Sequence, residues 1–211
     1  MTDGLRGGLR RVAPATSGRL DESGFLLVGA AAGLLGWGGT QLLAWFNPPG
    51  SALLATALWT VLVAVFSGLT VLHAPETVRF SDAMVVWGTV NPAAMAVTVG
   101  GLVGLVPARL AFWTAWVGAA ALGYLGTGGL LIRAGAGRRG RGYVASGGVA
   151  LAVLAIGTVA FETIAPVAFL LLVTLHAVPL VLDAKTGLSP VARGGVLALV
   201  VGSLLIAGLF T

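Results

Sequence analysis

Apolar residues run along this chain in long unbroken stretches, and the charges sit between them as short punctuation. From residue 23 to residue 75 there is no Asp, Glu, Lys or Arg. A membrane-spanning helix needs about 20 apolar residues, so this stretch suits two spans rather than one. Asn47-Pro48-Pro49-Gly50 is a dense turn signal in its middle. The pattern therefore predicts helices over 24–46 and 51–73. A charged loop with Glu76 and Arg79 follows, then helices over 82–106 and 109–132, hinged at Pro107. Arg133 to Arg141 reads as a flexible basic loop.

Residues 142–182 hold one charge, Glu162. A single helix of that length would reach about 60 Å, twice the hydrocarbon core. A break is required, and Glu162 with Pro166 supplies it, because proline suits a helix's first turn. Helices are predicted over 143–162 and 164–182, with a last one over 190–210. The expected fold is all-α, an integral membrane bundle of seven transmembrane helices over 23–211, preceded by a polar cytoplasmic tail over 1–22.

Composition agrees with the pattern. Of 211 residues, 57% are hydrophobic and 9% charged, against about 25% charged in an ordinary globular domain. A soluble domain of this size lacks the interior to hide so much apolar surface. Soluble enzyme, disordered chain and nucleic-acid-binding domain are all poor readings; the expected partner is the lipid bilayer. There is no cysteine, which excludes disulfides and thiolate chemistry.

Charge sets an orientation. With the amino terminus in the cytoplasm, eleven of the 12 basic residues fall in cytoplasmic segments and only Arg109 outside. Basic residues favour the cytoplasmic side of a membrane. The expectation is a multi-pass protein of the cell membrane with a cytoplasmic amino terminus and an external carboxy terminus.

Gly29-Ala-Ala-Ala-Gly33 and Gly100-Gly-Leu-Val-Gly104 are faces of small residues that let helices approach closely. They read first as intramolecular packing and second as a route to a homo- or hetero-oligomer. Trp45, Trp59, Trp113 and Trp116 fall in the outer halves of their helices and suit an interfacial belt.

Candidate chemistry is sparse. Asn91-Pro92 lies near the middle of helix 3, and Asn91 is a candidate for lining a solute path. Leu72-His73-Ala74 and Leu175-His176-Ala177 are alike, and each is followed by Asp-Ala, at Asp82 and Asp183. His73, Glu76, Arg79, Asp82, His176, Asp183 and Lys185 are all expected at or near the cytoplasmic face. Charges there are costly unless paired, so Arg79 should meet Asp82 or Asp183. Two imidazoles allow haem b ligation, although His176 sits about 10 Å deeper than His73. A divalent metal on His73, Glu76, His176 and Asp183 is a further option, without a recognised ligand spacing. The simplest reading is separate interfacial hydrogen bonds and salt bridges.

The paired histidines also hint at a parallel repeat of helices 1–3 and 5–7 around helix 4. That 3+1+3 plan resembles the architecture of the SWEET sugar transporters. A microbial-rhodopsin reading of Arg79-Phe80-Ser81-Asp82 fails, because helix 7 holds no lysine for a Schiff base. No nucleotide loop, nucleophile elbow or paired catalytic carboxylates are found. The chain reads as a non-enzymatic multi-pass membrane protein without a resident cofactor, either a small-solute permease or a subunit of a membrane complex. The alternative is a haem- or metal-binding redox protein using His73 and His176.

Overall fold

The computed structural model describes residues 20–185 and 188–209. The expected tail through Arg19 lies outside the described residues. Seven helices are long and apolar enough to cross a membrane, and no strand occurs among the described residues. We label them α1 (Glu22–Phe46), α2 (Ser51–His73), α3 (Asp82–Leu102), α4 (Leu110–Arg133), α5 (Gly137–Val159), α6 (Ala168–Lys185) and α7 (Pro190–Gly208).

Local chemistry sets the ends. Asp21 caps α1 by accepting from the Gly24 amide at 2.7 Å, which satisfies one of the orphan donors of a first turn. Asn47 and Gly50 take positive φ, 40° and 76°, in the predicted turn between α1 and α2. Ser81 caps α3 and Ser189 caps α7, the latter with Pro190 in its first turn.

Two predicted boundaries shift. Helix α3 runs through Pro92 but ends at Leu102, short of the expected 106. Gly104 adopts φ 76°. Its amide donates to Gly101 O, and Leu105 N donates to Gly100 O. That is a Schellman cap, so Gly104 closes the helix instead of packing it. Helix α5 starts at Gly137, earlier than the expected 143. The basic loop shrinks to Ala134–Ala136, with Gly135 at φ 84° and a second Schellman pair, Gly135 N to Ile132 O and Ala136 N to Leu131 O. The helical start brings Gly140 against Gly128: a Cβ on either would lie within 2.7 Å of the other's carbonyl oxygen. Such bare backbone contact is how membrane helices gain close packing.

The predicted break between the fifth and sixth helices is present. Helix α5 stops at Val159, Ala160 leaves helical geometry at φ −133°, and a short turn over Phe161–Ile164 leads into a 3-10 turn over Ala165–Val167 containing Pro166. Arg109 serves the end of α5. Its Nη2 donates to Gly157 O and, at 3.0 Å, to Thr158 O, and its guanidinium lies 4.8 Å from the Phe161 ring centre. Gln41 of α1 serves the start of α6. Its Oε1 accepts from Phe169 N at 3.0 Å and Leu170 N at 3.2 Å, and its Nε2 donates to Pro166 O at 3.1 Å. Without it, these broken-helix groups would face an interior with little water to bond.

The bundle is uneven. The most extensive interfaces are α4 with α5 and α1 with α6. Buried residues make up 39–44% of the apolar stretch of these four helices, against 6% in α2 and 11% in α3. Helix α2 packs chiefly on α1, and α3 chiefly on α4, so a cleft opens between α2 and α3. Helix α7 packs on both α5 and α6. The two triplets of the expected repeat are therefore arranged differently: α7 bridges its partners, whereas α3 turns away to α4.

Candidate functional site

The starts of α1, α3, α5 and α7 and the ends of α2, α4 and α6 share one face, here called the basic face. Its predicted polar cluster does not assemble as expected. Glu76 and Asp82 are exposed, each in the first turn of a helix. Arg79 pairs with neither Asp82 nor Asp183. Its Nη2 donates to Ala74 O at 3.3 Å, and its guanidinium stands 5.6 Å from the Phe80 ring centre. His73 ends α2, with its carbonyl accepting from Leu20 N at 3.1 Å. Helix α1 is the main neighbour of both α2 and α6. Among the described residues no three of the His, Asp and Glu side chains gather into a metal-holding group, so His73, Glu76, His176 and Asp183 stay apart as a set. Lys185 is the last residue of α6.

Asp183 is instead the centre of a different network. Its side chain is only 5% exposed. Arg139 Nε donates to its Oδ2 at 2.6 Å, Tyr143 Oη donates to the same oxygen at 2.8 Å, and Arg193 Nη1 donates to Oδ1 at 2.9 Å. Arg139 also pairs with Glu22. One carboxylate thus ties α1, α5, α6 and α7 together. Arg79, expected to meet Asp82 or Asp183, takes no part in this network. Arg139 falls within the expected basic loop of the sequence, and only the early start of α5 aims it inward. Each carboxylate oxygen has a donor from a neighbouring helix, so this network is a latch between helices.

The open chemistry lies deeper. Asn91 sits nine residues into α3 from Asp82, and His176 nine residues from the end of α6. At 1.5 Å per residue both stand about 13 Å from the basic face. They line one cavity of about 60 Å³ behind the α2–α3 cleft, walled by Trp37, Trp59, Trp87 and Trp116. That is room for a few waters. The His176 ring packs against α1 at Gly33. It lies so close to α1 that a Cβ on Gly33 would come within 2.2 Å of its Cδ2. The Gly29–Gly33 face is thus used inside the bundle, as expected.

A second, smaller cavity of about 20 Å³ lies nearer the opposite face, with Thr40, Thr56 and Thr98 among its walls. Trp37, Trp59 and Trp116 belong to both cavities and separate them. Their ring centres are 4.5 Å apart for Trp37–Trp59, 5.2 Å for Trp37–Trp116 and 6.0 Å for Trp59–Trp116. Trp116 Nε1 donates to Thr98 Oγ1 at 2.9 Å, and Thr98 in turn reaches Ala111 O at 3.0 Å. Ala111 lies in a π-helical turn at the start of α4, Leu110–Thr114. Such turns misalign backbone bonds and are frequent at functional sites. Trp59 Nε1 is buried and has no hydrogen-bond partner among the described residues.

The expected tryptophan belt therefore holds only in part. Trp45 is 55% exposed and donates to Pro166 O at 2.8 Å. Trp113 is 1% exposed and donates to Ala168 O at 3.1 Å. Trp59 and Trp116 face the bundle. Depth along a helix was legible in the sequence, but the side a ring faces was not. The available signal was the small residue opposite: Gly36 accepts the Trp59 ring, Gly157 the Trp113 ring and Gly123 the Trp87 ring.

Comparison with known proteins finds no matching family model, no matching curated protein and no matching solved structure.

Proposed function

We propose that this multi-pass protein is a small-solute permease whose solute passes through the α2–α3 cleft, with its basic face in the cytoplasm. The observation that carries this reading is the cavity shared by Asn91 and His176 at matched depth, behind the two least buried helices of the bundle. Binding sites of membrane transporters favour helix interfaces near the bilayer midplane. Polar side chains inside a membrane are costly and tend to mark solute paths. Asn91 supplies a carbonyl acceptor and an amide donor, enough to hold an uncharged polar solute without a counter-ion. Loosely attached α2 and α3 can shift without breaking the α1–α6 and α4–α5 interfaces.

The test is solute-driven swelling of proteoliposomes in stopped flow, with urea, acetamide and glycerol as probes. The wild-type protein is expected to speed entry of at least one of them over protein-free vesicles. Asn91→Leu is expected to reduce that gain at least about tenfold, as when roughly 1.4 kcal/mol of barrier stabilisation is lost. Entry rates equal to those of protein-free vesicles for all three probes would overturn the reading.

A further inference from the structure

The two cavities lie on one line across the bundle, and three tryptophans stand between them. We propose that Trp59 is the moving gate of this line, and that the solute it admits is a small uncharged amide or alcohol received by the Trp59 indole N–H. This inference rests on the permease reading and adds to it a gate and a solute class.

The three rings are not held equally. Trp116 is pinned by its hydrogen bond to Thr98. Trp37 is 4% exposed and stacks on Phe169, with ring centres 6.2 Å apart and an interplanar angle of 5°. Trp59 makes no hydrogen bond among the described residues, and its ring is held by its fellow tryptophans, stacked on Trp116 at 6.0 Å and 16° and tilted against Trp37 at 4.5 Å. It projects from α2, which packs chiefly on α1, and its ring slots against bare backbone: a Cβ on Gly36 would lie 2.4 Å from Trp59 Cζ2. Its N–H is buried there without an acceptor. A buried donor left unpaired is costly, and one in a native structure calls for a reason. Rotation of the ring out of the Gly36 slot joins the cavities and turns the N–H towards the path. An acceptor on the solute then completes the missing hydrogen bond, so the solute itself favours the open state.

The walls define the class of solute. No Asp, Glu, Lys or Arg lines either cavity, so an ion would lose its hydration with no countercharge to replace it. The Thr40 and Thr56 hydroxyls spend their protons on the carbonyls of Gly36 and Ala52. The surface they leave to the smaller cavity is apolar. Asn91 offers both functions in the larger one. A solute that both accepts and donates, without charge and with few atoms, matches Asn91 and the Trp59 N–H beside an otherwise apolar passage. Narrow aromatic constrictions of this kind select by diameter and by the hydrogen bonds on their walls.

Two substitutions separate the parts. Trp59→Ala removes the barrier; Trp59→Phe keeps a ring in the slot but removes the donor. In proteoliposomes the probes are water, urea and potassium. Trp59→Ala is expected to raise osmotic water permeability and urea entry at least about tenfold over wild type, with potassium flux at the level of protein-free vesicles. Trp59→Phe is expected to keep wild-type water permeability while losing at least about tenfold in urea entry. Where Trp59→Ala does not yield folded protein, Gly36→Ala displaces the same ring and is expected to raise water permeability in the same direction. A folded Trp59→Ala or Gly36→Ala protein with wild-type water and urea rates overturns the gate. Wild-type urea entry in Trp59→Phe overturns the donor role, and a potassium flux in Trp59→Ala that matches its urea gain overturns the solute class. The two readings fail differently. Asn91-dependent entry with an inert Trp59 leaves the permease and removes the gate. A water path opened by Trp59→Ala, with no probe carried by wild type, leaves the gate and removes the permease.

Discussion

The basic-face latch and the tryptophan cleft are the two polar regions of a largely apolar molecule, and they treat their polar groups in opposite ways. At the latch, Asp183 is surrounded by Arg139, Tyr143 and Arg193, and each carboxylate oxygen has a donor. In the cleft, Trp59 Nε1 is buried and unpaired, and Asn91 and His176 face a space instead of a countercharge. The latch joins four helices; the cleft lies where two helices hold on by one neighbour each. Satisfied polarity in a membrane interior marks what must stay fixed. Unsatisfied polarity beside a cavity marks what can change partners.

That contrast breaks first at Asp183. Replacing it with Asn removes the charge between Arg139 and Arg193, leaving Arg139 with Glu22 and Arg193 without its carboxylate at a nearly closed site. Removing one partner of a buried ion pair costs about 3–5 kcal/mol. Asp183→Asn is therefore expected to lower the midpoint of chemical unfolding in detergent more than any other single change named here. An unchanged midpoint would mean that the latch does not hold the four helices together.

Gln41→Leu probes the same rigid half at its other end. It leaves the Phe169 and Leu170 amides without their acceptor, and an orphaned buried donor costs about 1–3 kcal/mol. A smaller loss of stability is expected, with solute entry still dependent on Asn91. If the variant loses all entry while keeping its stability, Gln41 belongs to the path and the division between the two regions is wrong.

The smallest effect is expected from Glu76→Gln with Asp82→Asn. Both carboxylates are exposed on the basic face, where single charges contribute little to stability. Unfolding midpoint and solute entry should both match wild type. A clear loss of entry would restore the predicted polar cluster as a functional site, in place of the cleft.

The fate of that cluster shows what the linear pattern can carry. His73, Glu76, Arg79, Asp82 and Asp183 do fall towards one face, as helix boundaries alone require, while His176 lies about 13 Å deeper. Whether they touch depends on which helices are neighbours, and α1 lies against both α2 and α6. Gln41 drew no attention, because a single amide in an apolar run resembles an ordinary buried polar residue. Its role exists only because α6 begins beside it with unpaired amides.

By itself the sequence determined that this chain is a bundle of seven apolar helices, where most of them turn, and which ends share a face. Those properties follow from uninterrupted apolar length, from proline and glycine at the breaks and from the alternation of arginine, all of them local along the chain. Only the tertiary structure decided that Asp183 belongs to Arg139 and Arg193, that Asn91 and His176 share a cavity, and that Trp59 stands between two of them. In lipid nearly every outward face is apolar, so hydrophobicity does not say which side of a helix turns inward. That choice is made by fit: Gly128 against Gly140, Gly33 under His176 and Gly36 under Trp59. A bare backbone and a large ring can find each other only after the helices have met.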